Sequence, residues 1–248
     1  MAQVWHDLLF AHWPVPLAQL RALVPSATPI DTFKGQAWVG VVPFHMSGVR
    51  LRGTPAVPGL SAFPELNVRT YVTVDDKPGV YFFSLDATNP LAVLAARAWY
   101  RLPYFHARMH VDVKGGDVGY RSRRIQSGTP AAELVAGYRP AGPALPPEAG
   151  TLEYFLTERY CLYTVSRRGH VFRAEIHHPP WMLQPAEAEI QHNTMAAAAG
   201  ITLPDSAPVL HFSKRQEMIA WAPVRLLAPA RVSAQPIFTL RPVPALGA

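Results

Sequence analysis

Proline constrains this chain more than any other residue. There are 26 prolines among 248 residues, about twice the average usage. They gather from Pro14 to Pro29, from Pro55 to Pro64, from Pro130 to Pro147, and from Pro204 onward. Proline cannot donate a backbone hydrogen bond and fixes its own φ, so it is kept out of helix interiors and central strands. The distribution therefore disfavours a helical bundle and places the regular elements between the clusters. There, β-branched and aromatic residues alternate with period two, as strands do. With 49% hydrophobic and 10% aromatic residues, the chain can bury a full core, and intrinsic disorder is excluded for most of it.

The clearest strand is Phe63 to Val74. Phe63, Glu65, Asn67, Arg69, Tyr71 and Thr73 fall on one face, and Leu66, Val68, Thr70, Val72 and Val74 on the other. The turn Asp75 to Gly79 follows, with Pro78 and Gly79 as its turn residues, and Val80 to Leu85 returns as the partner. Tyr104 to Val113 alternates in the same way. Tyr104, His106, Arg108, His110 and Asp112 share a face before Lys114–Asp117 turns the chain into Val118 to Ile125. Further strands are expected at Gln36–Met46, Arg159–Val165, Val171–His177 and His211–Trp221. Helices are few. Leu17–Leu23 and Thr151–Leu156 are short, Pro90–Tyr100 opens on an Asn89 cap, and Glu187–Ala199 is expected to be a helix ended by Gly200. The fold class is α+β and mainly β: a closed antiparallel β-barrel or cone with a few peripheral helices. One domain is expected over residues 1–248, with a core from about 5 to 227 and a tail from about 228 to 248.

Several function classes lose their support. The net charge is +6, from 19 Arg and 4 Lys against 17 acidic residues. The basic pairs Arg123–Arg124, Arg167–Arg168 and Lys214–Arg215 are scattered rather than run together, so no nucleic-acid partner is expected. The single cysteine, Cys161, excludes an internal disulfide and a CxxC centre. No apolar stretch approaches the length of a membrane span, and the first residues do not read as a signal peptide. The expected location is cytoplasmic. Phosphate-binding, dinucleotide, zincin and serine-hydrolase motifs are missing, and no cofactor is expected.

His106 and His110 have a metal-like spacing, but on a strand they stand about 13 Å apart. His177 and His178 point to opposite faces. No metal site is expected. Each of the four lysines sits beside a turn residue or another charge, where desolvation does not lower its pKa for Schiff-base chemistry. The Glu65, Asn67, Arg69 and Tyr71 row is a simple solvated face if it is exposed. Facing an interior, its acid and its arginine need partners, and it becomes a site for a carboxylate or carbonyl ligand. The same fork applies to His106 and Arg108.

Several blocks carry a resemblance. They are Asp31–Phe33 with Ala37–Phe44, Phe63–Val72, Gly79–Asp86, Leu102–Met109, Thr157–Tyr163 and Ile176–Trp181. Through them the chain resembles the bacterial YqjF-like family, of unknown function, from about Trp5 to about Val224. That family is similar in turn to the acetoacetate decarboxylase-like superfamily. The resemblance implies a closed barrel or cone around a central pocket, with Glu65 as the acidic residue of that pocket. The decarboxylases use a Schiff-base lysine beside a second lysine. The similar stretch here, Pro103–Arg108, holds none, which speaks against imine chemistry.

The resulting expectation is a barrel that binds a small organic molecule bearing a carbonyl or carboxylate. Glu65 and His106 are the candidate acid or base, with Arg69, Arg108, Asn67 and Tyr71 as ligand-binding residues. The partner is a small-molecule ligand, and a homo-oligomer is compatible with the sequence. The other reading is a non-catalytic ligand-binding or scaffold protein whose polar faces are only solvated. The orientation of the Glu65 face separates the two.

Overall fold

The computed structural model describes residues 1–226 apart from 91, 92, 95, 96, 98 and 99. Its strands are β1 (Ala2–Val15), β2 (Ala37–Arg50), β3 (Phe63–Val74), β4 (Lys77–Ala87), β5 (Tyr104–Lys114) and β6 (Asp117–Arg124). They continue with β7 (Glu133–Pro140), β8 (Cys161–Val165), β9 (Val171–His177), β10 (Gln184–Asn193), β11 (Val209–Ala220) and β12 (Val224–Arg225). Two short helices, α1 (Leu17–Arg21) and α2 (Leu152–Thr157), lie outside the sheet. No helix among the described residues is long and apolar enough to cross a membrane.

All the strands join one sheet in the order β12-β9-β8-β4-β3-β2-β1-β11-β10-β7-β6-β5, and two further pairings, β9–β11 and β4–β5, close it on itself. The first closure makes a ring of β1, β2, β3, β4, β8, β9 and β11. The second makes a ring of β1 to β7 with β10 and β11. The run β4-β3-β2-β1-β11 belongs to both, so it is a wall with an interior on each side. Along β2 and β3, Val39, Val41, Leu66 and Val68 pack on one side against Tyr120, Leu134 and Tyr138, in the largest apolar core. The alternate residues of these strands face the other side.

The structure departs from the sequence expectations at several points. The sheet is not wholly antiparallel, because β4 pairs parallel with both β5 and β8. The expected helix at Glu187–Ala199 is instead β10 as far as Asn193, followed by a 3-10 turn at Ala197–Ala199 that Gly200 ends in the left-handed conformation. Alternation explains the strand. Ala186, Ala188 and Ile190 pack against the core while Glu187, Glu189 and Gln191 point outward, so pairing with β7 overrides helix propensity. The β3–β4 turn is made by Asp75 and Asp76, both at positive φ, with Val74 opposite Lys77. Pro78 and Gly79, expected in the turn, lie inside β4. β1 and β7 are strands that alternation did not reveal. The expected helix Pro90–Tyr100 falls partly outside the described residues, and the tail 228–248 lies wholly outside them.

Gly79 meets a different need. A Cβ there would stand 2.7 Å from the Cys161 carbonyl oxygen and 2.7 Å from the Tyr163 ring. The glycine lets β8 approach β4, where the two strands share only Val80↔Leu162 and Tyr81↔Tyr163. Gly79→Ala is therefore expected to lower stability by about 1–3 kcal/mol through overpacking. Urea unfolding measures it, and an unchanged midpoint would show that β8 does not press on this residue.

Candidate functional site

Enclosure decides what a polar strand face can do, and the Glu65 face is enclosed. Glu65 is 4% exposed, Asn67 5% and Arg69 8%. All three line a cavity of about 910 Å3 inside the smaller ring. β3 is thus buried on both faces, apolar core on one side and cavity on the other. A solvated face does not describe it.

The ring strands contribute the rest of the lining. β2 adds Val42, Phe44 and Met46, β4 adds Phe82 and Leu85, and β8, β9 and β11 add Leu162, Ile176 and Met218. β1 adds Gln3, Trp5 and Leu8. Strict alternation would turn Leu8 away from Trp5. The irregularity between His6 and Ala11, where Asp7 takes φ +50°, shifts the parity by one. The lining residues Leu51, Arg52 and Trp221 are exposed and mark the mouth, where the Arg52 guanidinium lies 5.2 Å from the Trp221 ring. The β2–β3 register sets the depth. Phe63 stands opposite Met46 near the mouth, and Arg69 stands opposite Gly40 at the far end.

Two polar stations result, one at mid-depth and one at the closed end. At mid-depth the Tyr104 hydroxyl donates to Glu65 Oε2 at 2.8 Å. Burial is the main cause of a Glu65 pKa pushed up to about 8. Tyr104 opposes the shift, and the nearby Asp86 adds to it. At neutral pH Glu65 is therefore chiefly a neutral acid, able to give or take a proton in the cavity. At the closed end the Arg69 Nη2 donates to the Leu156 carbonyl of α2 at 3.2 Å. Its Nε is buried with no protein partner, and the side chain forms no ion pair among the described residues. The guanidinium carbon lies 5.3 Å from the Phe10 ring and 5.8 Å from the Tyr71 ring. Asn67 Oδ1, between the two stations, is also buried without a protein partner.

The other expected site residues lie elsewhere. Tyr71 is fully buried but does not line the cavity. Its hydroxyl meets His12 Nε2 at 2.6 Å. Burial, and then the Arg69 charge, hold His12 well below the usual histidine range, so it is neutral. His106 and Arg108 do not line the cavity either, and Arg108 is exposed. They share a face with Tyr104, which does line it, but β5 pairs with β4 only at Leu85↔Tyr104, Asp86↔Phe105 and Ala87↔His106. From Ala107 on, β5 pairs with β6 in the larger ring and no longer runs beside β4. A buried ion pair holds that junction. Arg124 donates from Nε and Nη2 to the two Asp86 oxygens, both at 2.7 Å, and stacks 3.9 Å from the Phe105 ring.

Sequence reasoning did not assign a role to Tyr104, Gln3, Trp5 or Arg52. Tyr104 could have been found, since it begins the same alternating face as His106. No lysine lines the cavity among the described residues, and no group of three His, Cys, Asp or Glu side chains is placed to hold a metal ion.

The fold is similar to that of solved acetoacetate decarboxylase-like proteins. The acetoacetate decarboxylase from Legionella pneumophila superposes with a TM-score of 0.60 at 11% identity, over 92% of this chain and 89% of that one. The enduracididine biosynthesis enzyme MppR, in a structure complexed with pyruvate, gives 0.58 at 10% identity over 89% of each chain. At such identities the likeness is one of fold. The sequence itself is more specific. Residues 2–217 match the model of a family described as an uncharacterized conserved protein, DUF2071, and the chain belongs to that family. The uncharacterized protein YqjF of Bacillus subtilis (strain 168) is 51% identical over 221 residues, covering 89% of this chain and 90% of that protein.

The raised Glu65 pKa has a thermodynamic consequence. Between the ordinary value of 4.5 and about 8, the folded chain keeps a proton that the unfolded chain has lost. The contribution to stability is therefore complete at low pH and is lost as pH rises through about 8. The advantage of the wild type over Glu65→Gln is expected to shrink by up to about 1.4 kcal/mol per pH unit across that window. Urea unfolding of both proteins at several pH values measures this, and parallel profiles would show that Glu65 is ionised in the folded protein.

Proposed function

We propose that the cavity binds an organic acid with its carboxylate on Arg69 and, farther along its chain, a carbonyl group within reach of the Glu65–Tyr104 pair. The observation that carries this reading is the Arg69 side chain. A buried guanidinium is costly without an anion, and this one has only neutral partners, the Leu156 carbonyl and the Tyr71 hydroxyl, with no ion pair among the described residues and a buried, unpartnered Nε in a cavity wall. A carboxylate is the ligand whose geometry and charge complete it.

Glu65 supplies acid–base chemistry in this reading. As a neutral acid held by Tyr104 it donates to the ligand carbonyl, and as the carboxylate it accepts a proton from the adjacent carbon, giving the enol. His106, the other candidate acid or base, stands outside the cavity and has no part in the proposal. The absence of lysine from the described lining argues against decarboxylation through an imine. The pyruvate bound by MppR, a protein of the same fold, is consistent with an oxo acid as ligand.

Calorimetric titration with pyruvate tests the binding step. Arg69→Met is expected to weaken it at least about tenfold, the equivalent of losing a hydrogen bond to a charged group at roughly 1.5–3 kcal/mol. Equal affinities would remove Arg69 from the site. The chemistry needs an oxo acid long enough to reach Glu65: the wild type is expected to speed the exchange of the methyl protons of 8-oxononanoate with deuterated water, and Glu65→Gln to abolish that gain. Borohydride added with acetoacetate is expected to leave the mass of the protein unchanged.

A further inference from the structure

The proposed head-group site occupies one end of a space far larger than a head group. A cavity of about 910 Å3 has room for roughly thirty waters at ~30 Å3 each. A three-carbon oxo acid, the size of a few waters, leaves most of it unfilled. The unfilled part has a definite shape and chemistry. From Phe63 near the mouth to Arg69 at the closed end, the wall follows six residues of β3, about 20 Å at strand rise. Around that path the wall is apolar, with Leu85, Leu102, Leu162, Ile176 and Met218 among the side chains that line it. Leu51 and Trp221 continue the apolar surface to the mouth. The buried permanent charge, Arg69, lies at the bottom with the apolar surface above it, and the exposed Arg52 stands at the mouth.

Resting on the carboxylate reading of Arg69, we infer that the natural ligand is an amphipathic monocarboxylate. Its acid head goes to the closed end, and a long apolar tail runs along β3 toward the mouth. A site built for a short oxo acid has no use for such a lining, and a wholly apolar ligand would leave the Arg69 guanidinium buried and uncompensated. A dicarboxylate too short to reach Arg52 at the mouth would place a second anion among apolar side chains.

A series of straight-chain 2-oxo acids, from pyruvate to 2-oxododecanoate, tests this by calorimetric titration against the full chain. Affinity is expected to rise about fourfold per added methylene and to level off once the chain reaches the mouth. Arg69→Met is expected to weaken 2-oxododecanoate at least tenfold and to leave the neutral ketone undecan-2-one unaffected. Val49→Trp adds bulk to a half-buried lining residue on the mouth side. It is expected to make the gain stop at a shorter chain, and it carries the test if Arg69→Met does not fold. An affinity that stays flat with length, while Arg69→Met still weakens pyruvate, would overturn the tail and leave the head-group reading standing. A rise with length that Arg69→Met does not alter, with the ketone binding as well as the acid, would overturn both. An unchanged plateau in Val49→Trp would also overturn the tail, because the chain would not pass that residue.

Discussion

Burying a strand on both faces removes the side on which it would ordinarily carry its polar residues. β3 is such a strand, and the shape of the protein follows from it. One face meets the apolar core through Leu66 and Val68, so the other face must hold Glu65, Asn67 and Arg69 inside the protein as well. Packing that second face with apolar side chains would have stranded three polar groups in a dry interior. Closing a second ring of strands around it leaves a cavity into which those groups project. The cavity is therefore how this sheet accommodates the polar row of its shared wall.

The charges are arranged so that they do not cancel. The other buried arginine of the sheet, Arg124, is matched by Asp86 in a two-point contact and serves the junction of β4, β5 and β6. Arg159, beside α2, has Asp31 at 2.7 Å. Arg69 has no such partner, although Glu65 stands on the same face of the same strand. Four residues of strand separate the two by about 13 Å, and Glu65 is held by Tyr104 instead. At neutral pH the closed end of the cavity is thus cationic and its middle largely uncharged.

The legibility of the sequence follows the physics of each element. β3 was readable residue by residue, because its polar and apolar rows alternate without interruption. The fate of those rows was not, since parity assigns residues to a face and says nothing of what the face meets. β10 was misread because Ala and Glu are good helix formers, and only pairing with β7 settles the matter. β1 was hidden by its own irregularity at Asp7, which breaks the period on which strand recognition depends. His106 and Arg108 were read together with Tyr104 because they share its parity. The three-residue contact between β4 and β5, a matter of sheet closure, is what removes them from the cavity. Sequence patterns are local, and closure is not.

The β8–β9 hairpin completes the wall of the cavity with very little backbone pairing to the rest of the ring. Two residue pairs join it to β4, and two more join it to β11. Side chains add to those pairs: Cys161 and Tyr163 fit closely over Gly79, the Tyr163 hydroxyl donates to the Lys77 carbonyl at 2.9 Å, and Lys77 pairs with Glu175 of β9. A joint of this kind responds to temperature differently from a ladder of hydrogen bonds, because apolar association weakens on cooling. Cooling therefore loosens the apolar share of the grip on the panel that encloses the cavity, and leaves the Tyr163 hydroxyl and the Lys77–Glu175 pair as its anchors.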